Sequence, residues 1–136
     1  MDIYTPTAFD PTMGYHALDP EVLPETPDRP CSRRSIADAV GLEAVAVNRY
    51  DAAPGEQIPT VYHSHDEQEE LFYVLSGTLH VETPEREYVI REGQVFVAER
   101  ESPHRAYNPS RSTGPVSVLA VGAPRVDDAH RYDPER

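Results

Sequence analysis

The residues best suited to chemistry lie together in the run His63-Ser64-His65-Asp66-Glu67-Gln68-Glu69-Glu70. Alternate residues of an extended strand point to the same face, so His63 and His65 present two imidazoles side by side to one environment. In the strand expected next, Glu70 shares a face with Phe72 and Val74, which sets a carboxylate among apolar neighbours, where an ionised group needs a cation. A third imidazole, His104, follows Ser102-Pro103 and reaches the same place if the sheet curls back on itself. Three imidazoles and one carboxylate suit iron, manganese, nickel, cobalt, copper or zinc rather than calcium or magnesium, which prefer oxygen ligands. An octahedral ion held this way keeps two positions open for a chelating ligand, dioxygen or an activated water. The plainer alternative is that a His-x-His pair forms a polar outer face, as expected for His80, which alternates with Leu79 and Val81. His16 and His130 fall in irregular ends.

The elements that must position these groups are short and of period two. Apolar and polar residues alternate over 43–50, 60–65, 70–75, 78–83, 87–91, 94–98, 105–108 and 116–121. Pro54-Gly55, Ser76-Gly77, Thr83-Pro84, Glu92-Gly93, Ser102-Pro103, Pro109 and Gly114-Pro115 separate them. Regularly spaced short strands with turn signals between them predict an all-β sandwich or barrel, and the breakers forbid helical runs. One short helix is expected over 35–41, with Ser35 as its cap and Gly41 as its stop. Six prolines before residue 35 make 1–34 an extended arm, able to dock through Ile3, Tyr4, Phe9, Tyr15, Leu18, Val22 and Leu23. The barrel then occupies 35–121, and 122–136 is expected to be a charged, solvated tail.

With 136 residues the chain suits one domain. Its 24 acidic against 12 basic side chains give a net charge of −12, which repels a phosphate backbone and argues against nucleic acid. All the basic side chains are arginine, a composition that resembles proteins of salt-loving microbes. No apolar run is long enough to cross a bilayer, and the first residues lack the pattern of a secretory signal, so a cytoplasmic protein without a membrane partner is expected. The single cysteine, Cys31, excludes an internal disulfide and reads as an incidental surface thiol, despite Arg33 and Arg34 nearby.

The stretch Gly55-x7-His63-x-His65-x4-Glu70-x6-Gly77 resembles the first motif of the cupin superfamily, and Gly93 with His104 and Asn108 resembles the second. The resemblance covers about residues 43–121 and places His63, His65, Glu70 and His104 on the family's four metal-ligand positions. It departs in having seven residues between Gly55 and His63, and in Glu99-Arg100-Glu101 where the family carries Pro-x-Gly. It implies a double-stranded β-helix, or jelly roll, with a divalent transition metal inside one mouth, a small-molecule ligand and a homodimer formed through an edge strand or an exchanged arm. A metal-dependent dioxygenase leads among the compatible functions; a Lewis-acid isomerase or epimerase on a sugar or small oxyacid and a non-enzymatic binding module are the alternatives. A phosphorylated substrate would need a cationic clamp, and Arg49, Arg91 and Arg105 are the arginines on expected strands. Glu99 and Glu101 read as surface charges.

Overall fold

Alternation of side chains builds ten strands in the computed structural model, which describes residues 14–135. They are β1 (Ser32–Ser35), β2 (Ala46–Ala52), β3 (His63–His65), β4 (Glu69–Ser76), β5 (Thr78–Glu82), β6 (Glu87–Arg91), β7 (Val95–Ala98), β8 (Arg105–Tyr107), β9 (Val116–Ala123) and β10 (Ala129–Arg131). One five-residue helix, α1 (Ile36–Val40), begins at a Ser35 side chain that accepts from Asp38 N and ends at Gly41, as the sequence predicts. Among the described residues no helix is long and apolar enough to cross a membrane.

The strands form a five-stranded sheet in the order β1-β2-β9-β4-β7, facing a three-stranded sheet β6-β5-β8 and a pair β10-β3; the pairings named are antiparallel. Isolated backbone bridges, Gln57 to Tyr107 and His63 to His104, join the segments flanking β3 and β8. The result is an all-β jelly roll. Between its layers lie Phe72 and Val74 of β4, Leu79 and Val81 of β5, Ala106 of β8 and Val116 and Val118 of β9, almost without exposure. Each of the phenylalanine, leucine and valine side chains contributes about 1.5–3 kcal/mol by leaving water. His80 faces outward from that core, as its alternation predicts, and its ring lies against Tyr107 with centroids 5.8 Å apart. Gly77 makes the β4–β5 turn at a φ of 79°, and a Cβ there would stand 2.4 Å from the Pro115 carbonyl oxygen. Asn108, buried at the end of β8, donates from Nδ2 to Ala52 O and Gly114 O, both at 3.0 Å, and so ties two loops to the barrel.

Three expectations require correction. The chain read as an extended arm enters the sheet: Ser32-Arg33-Arg34-Ser35 pairs along β2, because a free sheet edge supplies hydrogen bonds that a polar tetrapeptide accepts without any apolar pattern. Of the apolar points proposed to dock the arm, Leu23 is buried and Tyr15 and Val22 are exposed, while Ile3, Tyr4 and Phe9 lie outside the described residues. The segment expected to be a solvated tail supplies the end of β9 and all of β10, which pairs with β3. Cys31 is buried in the core, not on the surface; desolvation, with Glu56 and Asp51 adding to it, pushes its thiol up to about 12, against the weaker pull of Arg29.

The departure at Glu99-Arg100-Glu101 is conformationally legible. Glu101 takes a φ of 63° and its backbone N–H donates to His65 O at 2.6 Å, so the loop before His104 keeps a left-handed residue where the cupin motif has glycine. A non-glycine side chain there costs about 1–2 kcal/mol, partly offset by the lower unfolded-state entropy it brings relative to glycine. Glu101→Gly is expected to stabilise the fold by about 0.5–1 kcal/mol in chemical denaturation at high salt. An unchanged or lower midpoint would contradict this reading of the loop.

Candidate metal centre

The backbone bridge between His63 and His104 is the frame of the site. His63 N donates to His104 O at 3.2 Å and His104 N to His63 O at 2.9 Å, so two imidazoles project from directly opposed residues with ring centroids 4.8 Å apart. Glu70 enters from β4 in the facing sheet. Its Oε1 lies 2.8 Å from His104 Nε2, 3.4 Å from His65 Nε2 and 3.8 Å from His63 Nε2. The donor atoms of His63, Glu70 and His104 all lie within 4.8 Å of one another, a group able to hold a metal ion. His65 stands at its margin, its ring 4.7 Å from that of His63 and 6.4 Å from that of His104, with Nε2 directed at the same carboxylate.

The hydrogen bonds on the far side of each ring decide what the cluster wants. His63 Nδ1 meets Val61 O at 2.9 Å and His104 Nδ1 meets Ser102 O at 2.8 Å; a carbonyl only accepts, so each Nδ1 carries the proton. His65 Nδ1 meets Asp128 Oδ1 at 2.8 Å, a carboxylate that likewise calls for a donor. In the neutral rings the three Nε2 atoms are then acceptors, and they converge on a carboxylate that is also an acceptor. Only extra protons or a cation resolve that arrangement, and three imidazole nitrogens with one carboxylate oxygen are a fitting donor set for a divalent transition ion.

Without the ion, charge has to be shared as protons. Burial pushes Glu70 up, but the hydrogen bond with His104 and the close approach of the His63 and His65 rings outweigh it and hold the carboxyl well below its usual range. The same contact with Glu70 raises His65, against the opposing effect of burial and with help from Asp128. For Asp128, desolvation is outweighed by the Glu67 and Gln68 backbone N–H groups, which reach Oδ2 at 2.6 and 3.1 Å, and by His65, so it stays ionised.

A cavity of about 520 Å³ opens in front of His63, His65 and Glu70. Ile58 and Phe72 supply apolar wall, and Arg33, Asn48, Tyr50 and Gln68 supply polar wall. Burial pushes the Tyr50 phenol up, the Arg33 guanidinium beside it pulling part of the way back. The arginines expected as a clamp are elsewhere: Arg49 pairs with Asp51 at 3.2 Å, Arg105 with Glu82 at 3.2 Å, and Arg91 is exposed on β6. Arg33, on the strand that the sequence reading missed, lines the cavity, as do Arg29 and Arg125. Glu99 and Glu101 are exposed and border a different groove, behind His104. Asp128 also escaped the sequence reading, since an aspartate in a charged tail carries no spacing signal; only its pairing partner β3, known from the fold, reveals it.

With this geometry the sequence comparisons become informative. The chain belongs to the cupin family: the Cupin domain matches residues 48–122, more than half its length. A comparison with curated proteins finds no match. Among solved structures it is similar to a sugar phosphate isomerase of the cupin superfamily from Silicibacter pomeroyi, at 25% identity over 86% of this chain and 82% of that one, with a TM-score of 0.73. It is also similar to a provisionally assigned sugar phosphate isomerase from Acidithiobacillus ferrooxidans, at 29% identity over 73% of this chain, with a TM-score of 0.64; the match spans 62% of that protein's length. The polyketide cyclase RemF from Streptomyces resistomycificus shares the fold at 17% identity, 86% of this chain, 84% of that chain and a TM-score of 0.72.

Asp128 fixes the tautomer and orientation of His65, and partners of this kind commonly carry 10- to 100-fold in metal affinity. Asp128→Ala is expected to weaken binding of Zn²⁺ or Mn²⁺ by about that factor in a chelator competition titration, with the barrel still folded by circular dichroism. Equal affinity in the variant would exclude His65 from the ligand set.

Proposed function

We propose that this cupin is a metal-dependent isomerase or epimerase of a small hydroxy-carbonyl compound. The observation that carries the reading is a cavity lined by His63, His65 and Glu70 of the acceptor cluster, with a partly buried Tyr50 in the same wall. A divalent transition-metal ion held by those four residues would act there as a Lewis acid on a substrate carbonyl.

The chain's own groups shape the site around that carbonyl. A tyrosine phenol is protonated at neutral pH and burial moves its pKa further up, so the Tyr50 hydroxyl serves as a hydrogen-bond donor or acid toward an oxygen that gains charge, and not as the base. Asp128 keeps His65 in register, and Phe72 and Ile58 exclude water from one side. The likeness to two sugar phosphate isomerases supports carbonyl chemistry. Oxygen chemistry is the second reading, favoured by the apolar wall of Phe72 and Ile58 beside the open side of the cluster.

Proton exchange separates the two. Incubation of the metal-loaded protein with aldoses, ketoses and their phosphates in D₂O is expected to place deuterium on the carbon next to a carbonyl, as read by NMR. Chelation should abolish the exchange, and Tyr50→Phe should slow it about 10²- to 10⁴-fold at unchanged metal content. Oxygen uptake without exchange would move the assignment to a dioxygenase, and neither activity would leave a binding module.

The functional unit in this reading is a homodimer joined through the outer face of the five-stranded sheet. Tyr73 and Leu75 of β4 and Val95 and Val97 of the edge strand β7 stand exposed there side by side. Val97→Glu is expected to give monomers in sedimentation velocity where the parent chain sediments as a dimer; a monomeric parent would contradict the interface.

A further inference from the structure

Among the described residues four buried polar side-chain atoms lack a hydrogen-bond partner: Arg33 Nε, Asn48 Oδ1, His65 Nε2 and His80 Nδ1. Arg33, Asn48 and His65 line the same cavity. Folded proteins pair nearly all of their buried polar groups, so orphans gathered on one cavity wall mark a place that a ligand completes. His65 Nε2 belongs to the metal cluster. The other two do not, and they stand together: Arg33 of β1 is paired with Tyr50, and Asn48 lies two residues before Tyr50 on the same face of β2.

We propose that Arg33 and Asn48 form an anion subsite beside the metal centre. The Arg33 guanidinium would pair with a carboxylate or phosphate oxygen, and the Asn48 amide with a neighbouring hydroxyl of the same molecule. The inference rests on the isomerase reading and narrows its substrate to a hydroxylated acid or phosphate ester.

Competition for the arginines singles out Arg33. Arg125 also lines the cavity but is committed to Asp38 and to Leu42 O. Arg34 faces Glu25 at 3.3 Å and Asp51 at 3.8 Å. Arg33 pairs with no carboxylate among the described residues; its Nη1 donates to Thr26 Oγ1 at 2.8 Å, a neutral partner that orients the guanidinium without cancelling its charge. Arg29, exposed at the mouth, adds a second positive charge. In a chain of net charge −12, most of the surface repels anions, and an uncompensated guanidinium inside the metal cavity is what lets one enter.

Calorimetric titration of the metal-loaded protein with glycolate, glycerol 3-phosphate and glycerol tests the subsite, with the metal content of each sample measured alongside. At least one anion is expected to bind more tightly than glycerol, glycolate indicating a carboxylate and glycerol 3-phosphate a phosphate ester. Arg33→Gln and Asn48→Asp should each weaken that binding about 10- to 100-fold while metal content and thermal midpoint hold. Asn48→Asp is nearly isosteric and leaves the Arg33–Thr26 contact intact, so it decides the matter if Arg33→Gln loosens β1. No anion binding by the parent chain, or binding indifferent to both substitutions at full metal content, would overturn the subsite alone. Arg33-dependent binding in a protein that takes up no metal would uphold the subsite and overturn the metal-enzyme reading.

Discussion

Everything in this barrel's mouth depends on a half-buried carboxylate surrounded by imidazoles whose outer protons are already engaged. Val61 O, Ser102 O and Asp128 each hold one histidine by Nδ1, which turns the three Nε2 lone pairs inward toward Glu70. Acceptors facing an acceptor in a poorly solvated place are unfavourable unless a positive charge lies among them. The backbone enforces the arrangement: the His63–His104 bridge sets two rings, and the pairing of Glu70 with Ala98 and Gly122 sets the carboxylate in the opposite sheet. The conflict is therefore built into strand register and is not removed by side-chain rotation alone.

The barrel supplies the chemistry and the two flanking segments supply what surrounds it. β1 adds an edge to the five-stranded sheet and brings Arg33 to the cavity, while the approach to β10 brings Asp128 behind His65. Both are short polar strands held by pairing with barrel strands, so Arg33 and Asp128 can vary without repacking Phe72, Val74, Leu79 and Val81.

The sequence made the ligand cluster legible because its determinants are local. Period two puts His63 beside His65 and aligns Glu70 with Phe72, and the turn at Gly77 and the clamp at Asn108 recur at motif spacing. The eight expected strands all form, with ends moved by a few residues, since alternation and breakers report the buried face directly. What the sequence withheld is pairing-dependent. Ser32–Ser35 and Ala129–Arg131 have no apolar alternation and become strands only because a partner edge is present. Cys31 sits beside charged residues yet turns inward because β1 continues the sheet, and Arg33 and Asp128 matter only through distances that residue spacing does not encode.

The central claim is that His63, His65, Glu70 and His104 hold a transition metal, and elemental analysis tests it most directly. The protein, purified without added metal or an affinity tag, would be compared with Glu70→Ala. Near-stoichiometric transition metal is expected in the parent chain, with most of it lost in the variant. No transition metal in either protein, and none taken up on titration, would contradict it and leave the four residues as a proton-sharing polar cluster.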